Sequence, residues 1–173
     1  MNFFINNFIF IFCLLSTSKC FLFSVIIAIY NTARYLDDSI GSILNQTLGF
    51  ENIQLILVND GSTDNSEEIC LKYQKLYEEN LIYKKIKHRG VSKARNEGMK
   101  LAKGKYINFL DSDDKWDYQA FTLVLNFFEN HKTVDYVAGR IKFFEAKNNY
   151  DSLDYKFYKT RIVNLTKDYN CIQ

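Results

Sequence analysis

Proline is absent from this sequence of 173 residues, and glycine occurs only seven times. The usual proline signals for turns are therefore missing, and turns have to be predicted from glycine, asparagine and aspartate. An excess of either charge is also absent, since 22 lysines and arginines face 20 aspartates and glutamates, for a net charge of +2. This balance argues against an acidic tail and against a broad nucleic-acid-binding surface, so no nucleic-acid partner is expected.

Cysteine is scarce and scattered. Cys13, Cys20, Cys70 and Cys171 form no C-x-x-C pair, and a chain of this length does not depend on a disulfide framework. This pattern favours a reduced, cytoplasmic protein. The length suits one domain, and the 47% hydrophobic content is enough to build a core.

The longest apolar run, Phe3 to Leu15, is shorter than the roughly 20 residues that span a bilayer. No basic residue precedes it and no clear cleavage site follows it, unlike in a secretory signal. Two interpretations stay open: a membrane-associating extension, which would place the protein at the inner face of the membrane, and a stretch with no folded role. A secretory signal ranks third. We therefore divide the chain into a hydrophobic extension (1–20), a main domain (21–145) and a tail (146–173).

Apolar, β-branched runs alternate with segments of helical periodicity from Phe23 onward, which predicts an α/β protein with an open, mostly parallel sheet and helices on both faces. Strands are predicted at residues 24–30, 53–58, 81–87, 105–110 and 134–144. Helices are predicted at residues 35–48, 66–79, 90–104 and 119–130, the second capped by Asp64 with Glu67 and the third closed by Gly104.

Three polar segments follow predicted strands: Tyr30–Thr32, Asn59–Thr63 and Asp111–Asp114. Ligands of open α/β sheets bind beyond the carboxyl ends of the strands, near the point where the strand order reverses. Each segment alone would be interpreted as a solvated turn. Their joint placement instead predicts one crevice, lined by Asp60, Asp111 and Asp113, with Gly61 allowing a tight turn.

Asp111 and Asp113 are two carboxylates separated by one residue, a donor set that suits a hard divalent cation, Mn²⁺ or Mg²⁺. Such an ion would bind a diphosphate and neutralise charge on it as a leaving group. Arg95 has two equally weighted roles, a positive charge for phosphates or an ion pair with a crevice aspartate. Neither His88 nor His131 is placed like a zinc ligand.

Three blocks carry a family resemblance: FSVIIAIYNTARYLDDSIGSILNQTL, IQLILVNDGSTDNSEEI and GVSKARNEGMKLAKGKYINFLDSDDKW. Together they resemble the donor-binding part of a family 2 glycosyltransferase of the GT-A fold, over about Phe23 to Phe144. Relative to that fold, the chain is expected to be truncated at its C-terminus. The resemblance implies a UDP-sugar donor and a saccharide or lipid-linked acceptor. The residues it implies for the nucleotide site are Tyr30 and Asn31 in the pocket, Asp60 at the base or ribose, Arg95 near the phosphates, and Asp111 with Asp113 as the metal-binding D-x-D pair.

Departures from the family pattern affect three positions. Ala28 and Tyr118 stand where prolines are usual, and His88 stands where asparagine is common. An inverting enzyme also needs a general base, which the family draws from its acceptor-binding part. In the family this base lies in a Glu-Asp type of block. None of the acidic residues of the tail lies in such a block (Glu145, Asp151, Asp154 and Asp168), so no catalytic residue is assigned.

Three functions remain open at this stage. The first is a metal-dependent, inverting glycosyltransferase, and the second is an inactive remnant that only binds nucleotide-sugar. The third is a phosphotransferase of the haloacid dehalogenase type with Asp111 as nucleophile. The third fits poorly, because that motif normally follows the first strand.

Overall fold

Parallel strands form the centre of the computed structural model, which describes residues 19–134. The strands are β1 (Phe23–Ile29), β2 (Ile53–Asn59), β3 (Leu81–Lys85) and β4 (Tyr106–Asp111). The helices are α1 (Ala33–Leu44), α2 (Ser66–Leu76), α3 (Val91–Met99) and α4 (Ala120–Asn130), with a 3₁₀ turn at Phe50–Asn52. The order within the sheet is β3-β2-β1-β4, and every pair is parallel. The predicted α/β class with a parallel sheet is confirmed.

The strand order places the helices on both faces of the sheet. The connections through α1 and α2 step from β1 to β2 to β3, whereas the connection through α3 returns past β1 to β4. Because such crossovers are right-handed, α1 and α2 cover one face and α3 covers the other. The order in which the chain adds strands to the sheet therefore reverses between β1 and β4. A ligand crevice is expected at this point in this class of fold.

The core is built from the two central strands. Every residue of β2 is buried, and so is every residue of β1 except Ala28, which is half-buried. This explains why both strands read as continuous apolar runs, since each of their faces is covered by helices. On the α3 face, Ile26, Ile56 and Val58 pack with Ala94 of the helix. Burying one such aliphatic side chain contributes about 1.5–3 kcal/mol.

Gly98 explains how closely α3 approaches the sheet. A Cβ atom at this position would overlap the side chain of Ile26 in β1. Small residues at such contacts let helix and strand backbones come together. The close approach also sets the position of Arg95, which lies one turn earlier on the same helix.

The first three helices end three to five residues earlier than predicted, and two predicted capping signals differ from the structure. Gly104 does not close α3, which ends at Met99 with Lys100 as its cap. Gly104 instead donates its N–H to Ser24 Oγ at 2.8 Å, where the passing backbone of β1 leaves no room for a side chain. At the start of α2 the cap residue is Asn65, although Asp64 Oδ1 still accepts the N–H of Ser66 at 3.0 Å. The predicted capping partner Glu67 pairs with Lys85 instead.

Several predicted segments lie outside the described residues. These are most of the 1–20 extension, the predicted 134–144 strand beyond its first residue, and the tail at 146–173. Within residues 19–134, none of the helices has the length and apolar character that crossing a membrane requires.

Candidate functional site

The carboxyl ends of β1, β2 and β4 meet at one edge of the sheet, as the sequence predicted. Ile29 pairs with Asn59, and Ala28 pairs with Asp111, so the polar segments that follow start side by side. Hydrogen bonds then join them, because Thr32 Oγ1 donates to Ser112 Oγ at 2.8 Å. The loops form a connected rim around the point where the strand order reverses.

Asn31 connects the first and second of these loops. Its backbone has φ +53°, a left-handed conformation that asparagine tolerates better than most residues. Its N–H donates to Ser62 Oγ at 3.1 Å, and its Oδ1 accepts the N–H of Thr63 at 2.8 Å. The sequence placed Asn31 in the nucleotide pocket, and the structure adds a role in joining the loops.

Asp60 is 2% exposed, and its carboxylate is surrounded by N–H groups of a later loop. The backbone N–H groups of Arg89 and Gly90 donate to it at 2.9 and 2.8 Å, and His88 Nδ1 lies 2.9 Å from Oδ2. Gly61 follows with φ +74°. A Cβ atom at this position would lie only 3.0 Å from the backbone N atom of His88. The predicted tight turn at Gly61 is confirmed, and it lets the His88–Gly90 loop close over Asp60.

Tyr30 and His88 form an aromatic pair beside this loop. Their ring centroids are 4.0 Å apart, with an interplanar angle of 18°. Tyr30 is 45% exposed, so its ring is accessible at the rim. The structure therefore brings three sequence-selected residues together at this end of the site: Tyr30, Asp60 and the unusual His88.

Arg95 and Asp111 occupy the other end of the site. Arg95 Nη2 lies 2.5 Å from Asp111 Oδ1, and both side chains are partly exposed. Of the two roles that the sequence left open for Arg95, the ion pair with a crevice aspartate is present in the structure. The guanidinium also lies 5.8 Å from the centre of the Phe109 ring.

Asp113 and Asp114 continue the acidic segment and are exposed, whereas Ser112 between the carboxylates is buried. Partial burial raises the pKa of Asp114 above its ordinary 3.8, and the negative charges of Asp113 and Asp111 raise it further. Asp111, Asp113 and Asp114 therefore lie close enough for their negative charges to act on one another.

A complete protein cage for a metal is not found in the described part of the chain, where no three His, Cys, Asp or Glu side chains are grouped as a metal site requires. Asp111 and Asp113 could supply two oxygen ligands. Mg²⁺ and similar ions are commonly held in this way, by one or two carboxylates together with waters and substrate phosphates.

Sequence reasoning missed two contacts that support the site, although Asp64 was predicted as a cap of α2 and Trp116 was expected to pack beneath the acidic segment. Asp64 joins the starts of two helices, because its Oδ2 accepts the N–H of Ala33 at 3.0 Å while its Oδ1 accepts that of Ser66. Trp116 donates from Nε1 to Asn108 Oδ1 at 2.9 Å and packs near Phe121 below the acidic segment. A carboxylate at a helix start was a readable signal, whereas the Asn108 contact depends on tertiary structure.

The fold and the rim define an α/β protein whose polar loops meet at the strand ends, where ligands of this class of fold bind. A protein-family profile described as Glycosyl transferase family 2 matches residues 24–171. The chain belongs to this family, which confirms the glycosyltransferase class that the sequence indicated. The family also argues against the phosphotransferase alternative, and Asp111 ends the fourth strand instead of following the first.

Two curated relatives act in teichoic acid synthesis by name. The minor teichoic acid biosynthesis protein GgaB of Bacillus subtilis (strain 168) is 52% identical over 147 residues, covering 84% of this chain and 16% of GgaB. GgaA of the same organism is 41% identical over 155 residues, covering 87% of this chain and 35% of GgaA. The chain thus spans about a sixth and a third of these relatives.

Solved structures show the same fold. S. aureus TarS in complex with UDP matches with a TM-score of 0.59 and 29% identity, over 64% of this chain and 32% of that one. TarS has also been solved with UDP-GlcNAc. The mannosyltransferase PcManGT from Pyrobaculum calidifontis, in complex with GDP-Man and Mn²⁺, matches with a TM-score of 0.60 and 20% identity, over 68% of this chain and 34% of that one. The GT-A type of fold is confirmed.

Proposed function

We propose that this chain binds a UDP-sugar and provides the donor site of a glycosyltransferase that acts on a saccharide or lipid-linked acceptor. The observation that carries the proposal is the arrangement of the rim. An aromatic pair lies at one end, and Arg95 lies beside the carboxylate of Asp111 at the other. A nucleoside diphosphate has matching parts, a flat base and a charged diphosphate. The UDP and UDP-GlcNAc complexes of TarS support this choice of donor.

We propose that Asp111 and Asp113 hold Mn²⁺ or Mg²⁺. When bound, such an ion would neutralise the diphosphate and favour its departure. Arg95 is placed to exchange Asp111 for a phosphate oxygen, since both are anionic acceptors for a guanidinium. Asn31 and Thr32 keep the loops that border this site in register with the acidic segment.

In the inverting reaction that we propose, an acceptor hydroxyl oxygen forms a bond to the anomeric carbon as the bond from that carbon to the β-phosphate oxygen breaks. The bonding electron pair leaves with UDP, and the hydroxyl proton passes to a general base. We assign no described residue to that base. The relatives' names support an acceptor related to cell-wall polymers.

Calorimetric titration of UDP tests donor binding. We expect binding in the presence of Mn²⁺ or Mg²⁺, loss of that binding with a chelator, and at least about a tenfold loss in Asp113→Asn, because a charged interaction is removed. Glu78→Gln is the matched control, since Glu78 is exposed and precedes β3 at the opposite edge of the sheet. Tight binding that ignores both chelator and substitution would count against the proposal.

Release of UDP from UDP-GlcNAc separates the enzyme from the binding-only alternative. A transferase should release UDP faster when a suitable acceptor is added, with the rate reduced in Asp113→Asn. A chain that binds UDP with metal dependence, yet shows neither transfer nor donor hydrolysis with any acceptor, would support the remnant instead.

A further inference from the structure

His88 is the site residue that departs from the family pattern and has no role in the function proposed above. Its imidazole lies flat against Tyr30, with 4.0 Å between the ring centroids. Half of the His88 side chain is exposed, at 52%. A contact between two exposed rings needs an anchor on one side if it is to fix an orientation, because exposed side chains are otherwise free to change rotamer.

Asp60 provides that anchor. His88 Nδ1 lies 2.9 Å from the Asp60 carboxylate and 3.0 Å from the Asp60 carbonyl oxygen. Both partners are acceptors, so Nδ1 carries a hydrogen and the ring orientation is defined. The same carboxylate binds the N–H groups of Arg89 and Gly90, which fixes the backbone that carries the imidazole.

Tyr30 has no comparable support of its own. Within the described residues its hydroxyl makes no hydrogen bond, and its ring contacts no aromatic ring besides His88. The orientation of Tyr30 therefore depends on His88. The face of the Tyr30 ring that is turned away from His88 offers an aromatic surface of the kind on which nucleobases stack.

We propose that His88 is a positioning residue that holds Tyr30 as the stacking platform for the base of the donor nucleotide, with Asp60 as the anchor of His88. This inference rests on the proposed function. The Asp60 carboxylate is 2% exposed and contacts three N–H groups, so it holds both His88 and the backbone that carries it.

A double-mutant cycle on UDP affinity in the presence of Mn²⁺ tests the inference. We expect Tyr30→Ala to weaken binding by roughly 5- to 150-fold, the range for losing one stacked base. His88→Ala should weaken binding by about two- to tenfold, since Tyr30 must then be ordered on binding. In the Tyr30→Ala background the His88 change should have no further effect, because its action passes through Tyr30. His88→Phe should restore most of the affinity, and Lys87→Ala is the control on the same loop.

Independent losses at Tyr30 and His88 would overturn the inference and show that His88 contacts the ligand itself. The same holds if His88→Phe binds as weakly as His88→Ala. Proton NMR of the free chain adds a readout that needs no nucleotide, since the chain has two histidines. The His88 ring resonances should shift when Tyr30 is replaced, and unchanged resonances would disprove the stack. A chain that shows the stack but binds no UDP would overturn the proposed function instead.

Discussion

Arg95 and Asp111 form an ion pair that joins the middle of α3 to the last residue of β4, with 2.5 Å between Nη2 and Oδ1. In the proposed site, Asp111 is also a ligand for a divalent cation. Arg95 and the cation therefore compete for one carboxylate until a diphosphate arrives and offers the guanidinium other acceptors.

Replacement of Arg95 by alanine should change metal and nucleotide affinities in opposite directions. Without nucleotide, Mn²⁺ should bind up to about fivefold more tightly, because an exposed ion pair of about 0.2–1 kcal/mol no longer competes. UDP should bind roughly ten- to a hundredfold more weakly in the presence of Mn²⁺, since a charged hydrogen bond to the phosphates is lost. Titration of Mn²⁺ followed by electron paramagnetic resonance, and calorimetry of UDP, measure the two effects.

Lys100→Ala is the matched control for Arg95→Ala. It removes the same charge from the end of the same helix, and Lys100 pairs with Glu97 rather than with the acidic segment. We expect it to leave both affinities within about twofold of wild type. If the Arg95 variant loses affinity for Mn²⁺ as well as for UDP, Arg95 orders Asp111 for the metal and does not compete with it.

The sequence predicted where in the fold this site lies, because strand ends and apolar runs are local signals. A run buried on both faces identified β1 and β2, and parallel strands bring their carboxyl ends to one edge, so Asp60 and Asp111 could be placed in one crevice. The partners of Asp60 could not be predicted, since they are backbone N–H groups about 30 positions away.

Gly104 shows why one local signal was wrong. A glycine at the end of a helical pattern is typical of a C-cap, yet the same residue is required wherever a backbone passes too closely for a side chain. The backbone of Phe23 and Ser24 creates that requirement here. Only the tertiary structure distinguishes the two causes.

Gly98→Ala should destabilise the protein although alanine is the better helix former. The gain in helix propensity is about 1 kcal/mol, whereas overpacking against Ile26 costs typically about 1–3 kcal/mol. We therefore expect a free energy of unfolding that is lower by up to about 2 kcal/mol, measured by urea denaturation. UDP affinity should fall as well, because α3 carries Arg95.

Gly41→Ala is the matched control within the same kind of element. Gly41 lies in α1, and a Cβ atom there would have no neighbour within 4 Å. The substitution should therefore stabilise the protein by about 1 kcal/mol through helix propensity alone. A Gly98 variant as stable as the Gly41 variant would show that α3 can move away from β1 at no cost.

Asn31 offers a way to separate backbone strain from hydrogen bonding. Asn31→Gly keeps the left-handed conformation and loses the bond from Thr63, at a cost of about 0.5–1.5 kcal/mol. Asn31→Ala loses the same bond and adds about 1–2 kcal/mol for a left-handed alanine. Thermal unfolding should rank wild type above the glycine variant and the glycine variant above the alanine variant. Equal stability of the two variants would show that the loop relaxes to negative φ.

The ion pairs of Glu97 should make the stability of the protein depend on pH. Lys100 and Lys84 bind its carboxylate at 2.7 and 2.8 Å, and they lower the pKa of Glu97 from 4.5 to about 2. Because the folded state favours the charged form, the stabilisation is complete above the unfolded pKa of 4.5 and is lost as the pH falls toward 2. The free energy of unfolding of wild type should therefore exceed that of Glu97→Gln most clearly above pH 5 (about half a unit over the unfolded pKa), and the difference should shrink below it.

Urea unfolding of both proteins across this pH range measures the effect, at low and at high salt. High salt should reduce the difference at every pH, because the three lysines around Glu97 are partly exposed and their attraction is screened. Glu78→Gln, at an exposed position, is the control for the removal of one glutamate charge. A difference between wild type and Glu97→Gln that stays constant from pH 7 to pH 2 (about the span from neutrality to the folded pKa) would mean that packing, and not charge, explains the contribution of Glu97.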